Sequence, residues 1–187
     1  MTAVLTVLTT GYADDRVAST VTLIVDGSAV IIVDPGMVAD RSAILDPLSA
    51  VGVRADDVTD VVLSHHHPDH TMNIALFPRA RVHDVMATYI GDEWIDHDDG
   101  DFAVSPSVLI RPTAGHTDQD VTTLVTTADG LVALTHLWWH ADGPADDPFA
   151  ADREQLRASR EAVLALAPSL IVPGHGPAFT PSATTPV

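Results

Sequence analysis

The tightest constraint on this chain is a run of six residues, His65-His66-His67-Pro68-Asp69-His70, in which four histidines and an aspartate crowd together. Imidazole and carboxylate packed this densely in the interior of a chain form a metal-binding pattern rather than a solvated loop or a tag remnant. The apolar stretch 61–63 just before it leaves no room for a helix and reads as a short buried strand. At a strand end the alternate residues His65 and His67 point the same way, while Asp69 and His70 open the following turn and reach a neighbouring point. That geometry suits two adjacent metals. His66 and Pro68 point away and shape the turn.

Around this cluster the chain alternates β-branched runs with helical spacing. Strands are expected over 3–9, 19–25 and 29–33, the last two joined at Asp26-Gly27. Apolar Ile44, Leu45, Leu48 and Val51 space a helix over 41–51, a short helix is expected over 70–76, and 81–83 reads as a strand. The stretch 92–101 reads as an acidic solvated loop. Strands return over 108–111, 121–127 and 131–135, followed by an amphipathic helix over 152–166 and a last strand over 169–172. Strands then helix, twice over, predict two similar halves with sheets face to face and helices outside. No linker divides them, so 1–180 is read as a single domain and 181–187 as a frayed tail.

Two later motifs, Ala114-Gly115-His116-Thr117 and Pro173-Gly174-His175-Gly176, each follow a predicted strand and add candidate ligands. Glycine beside them lets backbone pass close to the site. The chain has no cysteine, which excludes thiolate ligands, disulfides and thiol nucleophiles. Imidazole and carboxylate alone suit zinc, iron or similar borderline metals.

A formal charge of −17 opposes nucleic-acid binding, which depends on cationic side chains displacing counterions. All nine basic residues are arginine, so no lysine serves as a Schiff base or a carboxylate anchor. No apolar run approaches the ~20 residues of a membrane span. The N-terminus has no basic leader region, so a cytoplasmic location and no membrane partner are expected.

The order Asp34-Pro35-Gly36, HxHxDH over 65–70, Gly115-His116-Thr117 and Pro173-Gly174-His175-Gly176 resembles the metallo-β-lactamase superfamily across nearly the whole chain. The second half is similar to its small members of the metallo-β-lactamase domain-containing protein 1 kind. The resemblance implies an α+β fold, a four-layer αββα sandwich. It implies one metal held by His65, His67 and His116 and another by Asp69, His70 and His175. Asp34 would stand behind the ligands, fixing an imidazole tautomer through its remaining N–H.

In the family the strand after the His116 motif ends in an aspartate that bridges the metals, whereas here that place holds His136. A neutral imidazole offers one lone pair to one metal. Three arrangements follow: two ions with His136 as a terminal ligand, a single ion, or a metal-binding site of reduced turnover. The expected cofactor is zinc, two ions, with iron or manganese as alternatives. The expected activity is hydrolysis of a small ester, lactone, thioester or amide by metal-generated hydroxide, with Asp69 as the catalytic carboxylate that orients it. His140 is a rim histidine placed to shuttle protons, and Trp138 and Trp139 are candidates for a pocket wall or for core packing. His83 and His97 have no supporting motif and read as surface residues. The rival readings are a mononuclear iron oxygenase resembling persulfide dioxygenases and a metal-binding protein whose chemistry declined with the change to His136. The partner is a small-molecule substrate; oligomeric state has no signature in the sequence.

Overall fold

Alternation along the strands sorts side chains into three apolar layers, and these define the architecture. The computed structural model describes residues 2–187. Its strands are β1 (Val4–Thr9), β2 (Tyr12–Ala13), β3 (Val17–Ala18), β4 (Val21–Asp26), β5 (Ala29–Val33), β6 (Asp60–Val62), β7 (Arg81–His83), β8 (Ala87–Ile90) and β9 (Glu93–Asp96) in the first half. The second half holds β10 (Phe102–Ser105), β11 (Val108–Pro112), β12 (Val121–Thr127), β13 (Gly130–Thr135) and β14 (Leu170–Pro173). The helices are α1 (Ser42–Ala50), α2 (Pro68–Thr71) and α3 (Arg153–Ala165).

One sheet has the order β1-β4-β5-β6-β7-β8-β9, the other β10-β11-β12-β13-β14, and β2 pairs with β3 in a separate small ribbon. Ile24, Ile31, Val33 and Val62 of the first sheet face Val108, Ile110, Val125, Leu134 and Val172 of the second, forming the layer between the sheets. The opposite parity, Leu23, Ile32 and Val61, packs under Ile44 and Leu48 of α1. Leu124, Ala133 and Ile171 pack under Leu156 and Val163 of α3. The result is the αββα sandwich, each buried Val, Leu or Ile contributing roughly 1.5–3 kcal/mol. Asp26, buried at the end of β4, ties the sheets together by accepting from Ser105 Oγ at 2.6 Å and the Ser107 amide at 2.7 Å.

β5, β6 and β7 run parallel, as do β13 and β14, so their C-terminal ends gather at one edge of the sandwich. Among the described residues no helix is long and apolar enough to cross a membrane.

Several expectations are corrected. The stretch 92–101 is not simply a loop, because Glu93–Asp96 forms β9 and pairs with β8. Both of its faces are exposed, so no apolar alternation marks it. The helix expected over 70–76 begins earlier, as α2 with Pro68 at its first turn, and continues as a separate 3₁₀ turn at Ile74–Leu76. His83 is buried, bonded to Asp60 at 2.7 Å and Thr88 at 2.8 Å, and His97 stacks on Phe102. Trp138 belongs to the core, beside Phe179 and the guanidinium of Arg160. The segment after residue 180 is tethered, since the Trp138 indole donates to the Pro186 carbonyl at 2.8 Å.

Candidate metal centre

The gathered strand ends deliver the histidines. His65 and His67 follow β6, Asp69 and His70 lie in α2, His116 lies between β11 and β12, His136 directly follows β13, and His175 comes just past Gly174 at the end of the parallel strand β14. The two halves are stitched at this edge by Val121 N–H to Ser64 O and by Thr20 N–H to Gly174 O, both at 2.8 Å.

Two triads have ligand atoms within 4.8 Å of one another, His65/His116/His136 and His70/His136/His175, and His136 belongs to both. His67 joins the first, with Nδ1 at 3.0 Å from His65 Nε2 and 3.1 Å from His116 Nε2. Asp69 joins the second, with Oδ2 at 3.4 Å from His70 Nε2 and 3.5 Å from His175 Nε2. His136 thus stands at the junction, where its Nε2 approaches His175 Nε2 at 3.0 Å.

Behind the rings, acceptors fix the tautomers. His70 Nδ1 donates to Asp34 at 2.8 Å, His116 Nδ1 to Asp147 at 2.8 Å and His175 Nδ1 to the Ala18 carbonyl at 2.8 Å. With the proton on Nδ1, the Nε2 of His116 and of His175 presents a lone pair to the centre, and that of His70 does so once its second proton leaves. Asp34 adopts positive φ (53°) and its other oxygen accepts from the Ser64 amide at 2.7 Å, so it also holds the strand end that carries the cluster. Two glycines make room for this assembly. A Cβ on Gly36 would strike the Asp69 carbonyl, and a Cβ on Gly174 would strike the imidazole of His136.

These residues fit a cation. Ring nitrogens from several elements converge at 3.0–3.1 Å, and each neutral imidazole keeps one lone pair to offer a cation. The rings are held neutral, with a lone pair each, because the pKa values of His65, His67, His136 and His175 are all lowered, first by burial and then by neighbouring imidazoles. His70 Nε2 and His136 Nδ1 are buried without a hydrogen-bond partner. His70 alone is raised, to about 9: burial opposes its charge, but the Asp34 and Asp69 carboxylates outweigh it. Asp69 is half-buried, which pushes its carboxyl up, yet His70 beside it brings it down to about 2.

The centre floors a cavity of about 400 Å³, with His67, Asp69, His116, His136 and His175 below and Ala13, Asp14, Val17, Pro68, Trp139 and Phe149 around it. No basic side chain lines it among the described residues. Of the two tryptophans, only Trp139 is wall. His140 is exposed and lies outside the cavity lining, so a relay through it finds no support in this geometry. His66 turns away and bonds to Asp84 at 2.8 Å. Three contributors carry no motif and were invisible in the sequence: Asp147 behind His116, Phe149, and the β2–β3 ribbon that brings Ala13 and Val17 to the mouth.

A sequence profile of the metallo-beta-lactamase superfamily matches residues 14–146. Metallo-beta-lactamase domain-containing protein 1 of Xenopus laevis is 33% identical over 92% of this chain and 79% of its own length. The Homo sapiens protein of that name is 37% identical over 80% of this chain, and the match spans 59% of the human protein. Among solved structures, a candidate metallo-beta-lactamase from Thermotoga maritima superposes with a TM-score of 0.76 at 20% identity, covering 97% of this chain and all of the other. A B. thuringiensis protein with N-decanoyl-L-homoserine bound at its active site gives 0.67 at 19% identity, covering 93% of this chain and 92% of the other. The compact histidine motif, the sandwich that gathers it and the matched profile lead to one conclusion: this chain belongs to the metallo-β-lactamase superfamily.

Proposed function

We propose that the chain is a metal-dependent hydrolase of small carbonyl compounds, an ester, lactone, thioester or amide, using two zinc ions. The observation that carries this reading is the pair of histidine triads sharing His136 at the floor of the cavity. His65, His67 and His116 would hold one ion, Asp69, His70 and His175 the other, and His136 would be a terminal ligand beside either. A bound divalent cation supplies Lewis acidity, acidifying water toward pKa ~7 and polarising the substrate carbonyl.

The chain's own groups do the rest. Asp69, ionised and lining the cavity, orients the attacking water and accepts its proton on a carboxylate oxygen. Trp139, Phe149 and Val17 form an apolar wall that seats the non-reacting part of the substrate and excludes water from it. Among the described residues no arginine lines the cavity to anchor a second anionic group away from the metals, which favours a small carbonyl substrate without one.

Metal content per chain, measured on protein prepared without chelator, tests the proposal together with His136→Ala and His136→Asp. Two equivalents of zinc that fall in the alanine variant, with turnover of generic esters or lactones, support it. A single iron indifferent to His136 points instead to the mononuclear oxygenase, and bound zinc without turnover to a metal-binding protein.

A further inference from the structure

Asp147 is fully buried, lies just beyond the matched profile, and uses both carboxylate oxygens. Its Oδ2 accepts from His116 Nδ1 at 2.8 Å and from the Trp139 indole N–H at 2.9 Å. Its Oδ1 accepts from the Phe149 amide at 2.9 Å. One carboxylate therefore touches a candidate ligand and both aromatic residues of the cavity wall, whose rings lie 5.8 Å apart. The loop bearing Asp147 is anchored from beneath by Arg160, which donates to the carbonyls of Leu137, Pro144 and Ala145.

We infer that Asp147 is a positioning residue that couples the first metal to the substrate wall. By holding the proton on His116 Nδ1 it turns the Nε2 lone pair toward His65 and His67; by the same oxygen it sets Trp139, and through its partner oxygen the turn that presents Phe149. Ligand and wall are thereby fixed as one unit. Alanine at this position removes both acceptor oxygens and so all three bonds, whereas an amide with its oxygen at the Oδ2 place would still accept from His116 and Trp139.

The metal arm of the test rests on the proposed zinc hydrolase, while the other arms do not. In the metal-free full chain, ¹⁵N-histidine NMR is expected to show His116 as the Nδ1–H tautomer and to show a tautomer mixture in Asp147→Ala. Trp139 emission, isolated by difference against Trp139→Phe, is expected to shift in Asp147→Ala as the indole loses its buried acceptor. Chelator competition should find one zinc equivalent weakened about 10–100-fold and the other unchanged. Asp147→Glu, which keeps both oxygens, should restore part of each signal, and it decides the matter if the alanine variant does not fold. A folded Asp147→Ala protein with native tautomer and native Trp139 emission overturns the inference. If the native chain binds no zinc, the hydrolase reading fails while the tautomer and emission arms still decide the role of Asp147.

Discussion

His70 is a fully buried imidazole between two carboxylates, Asp34 on Nδ1 and Asp69 near Nε2. Its folded pKa, about 9, lies above the ordinary 6.5. The stabilisation this gives the metal-free chain is complete below about 6.5 and is lost as pH rises through about 9. A cation at Nε2 must displace that proton, so metal uptake between these limits should release it and apparent affinity should climb with pH until about 9. Titration calorimetry in buffers of different ionisation enthalpy reads the proton directly; uptake without release at pH 7 would contradict the assignment. Asp34 could be read in the sequence only through the resemblance that Asp34-Pro35-Gly36 carries. Asp147 could not, because it sits among other aspartates in a loop and its partners are 31 and 8 residues away.

At the level of elements, what the sequence reveals depends on whether an element buries one face. β4, β5, β12 and β13 alternate or run apolar and were legible nearly to their ends, and so was α3 with its stripe through Leu156 and Val163. β9 buries neither face, and β2 and β3 are two residues each, so periodicity has nothing to register. α3 starts where Asp152 Oδ1 accepts from the Gln155 amide at 2.9 Å. Asp152→Ala should cost about 1 kcal/mol in denaturant unfolding with metal occupancy unchanged; loss of metal as well would mean that the cap also shapes the adjoining Asp147 loop.

For the whole molecule, the decisive fact is that neither half owns a complete site. His65, His67, Asp69 and His70 come from the first half, His116, His136 and His175 from the second, and they meet only when the sheets stack. Metal should therefore clamp the two sheets at their shared edge. With free zinc at a hundred times its dissociation constant, the clamp is worth ~2.7 kcal/mol. Stripping it should lower the melting temperature by roughly 5–10 °C for a chain of this size. An unchanged melting curve after chelation, with metal removal verified by elemental analysis, would show that the sheets hold together without it. The fold was legible at this scale because the repeated order of strands and helix implies two facing sheets, whereas the shared position of His136 emerges only from their register.

The contact between Gly174 and the His136 ring has an evolutionary consequence. A chain cannot acquire an imidazole at 136 and a side chain at 174 independently, since each occupies the other's volume. The two positions form an epistatic pair: Gly174→Ala should cost about 1–3 kcal/mol beside His136 and much less beside His136→Asp. A double-mutant cycle measures that coupling. If it is present, any route between the aspartate and the histidine forms of this centre passes through a small residue at 174, and the order of the two substitutions is not free.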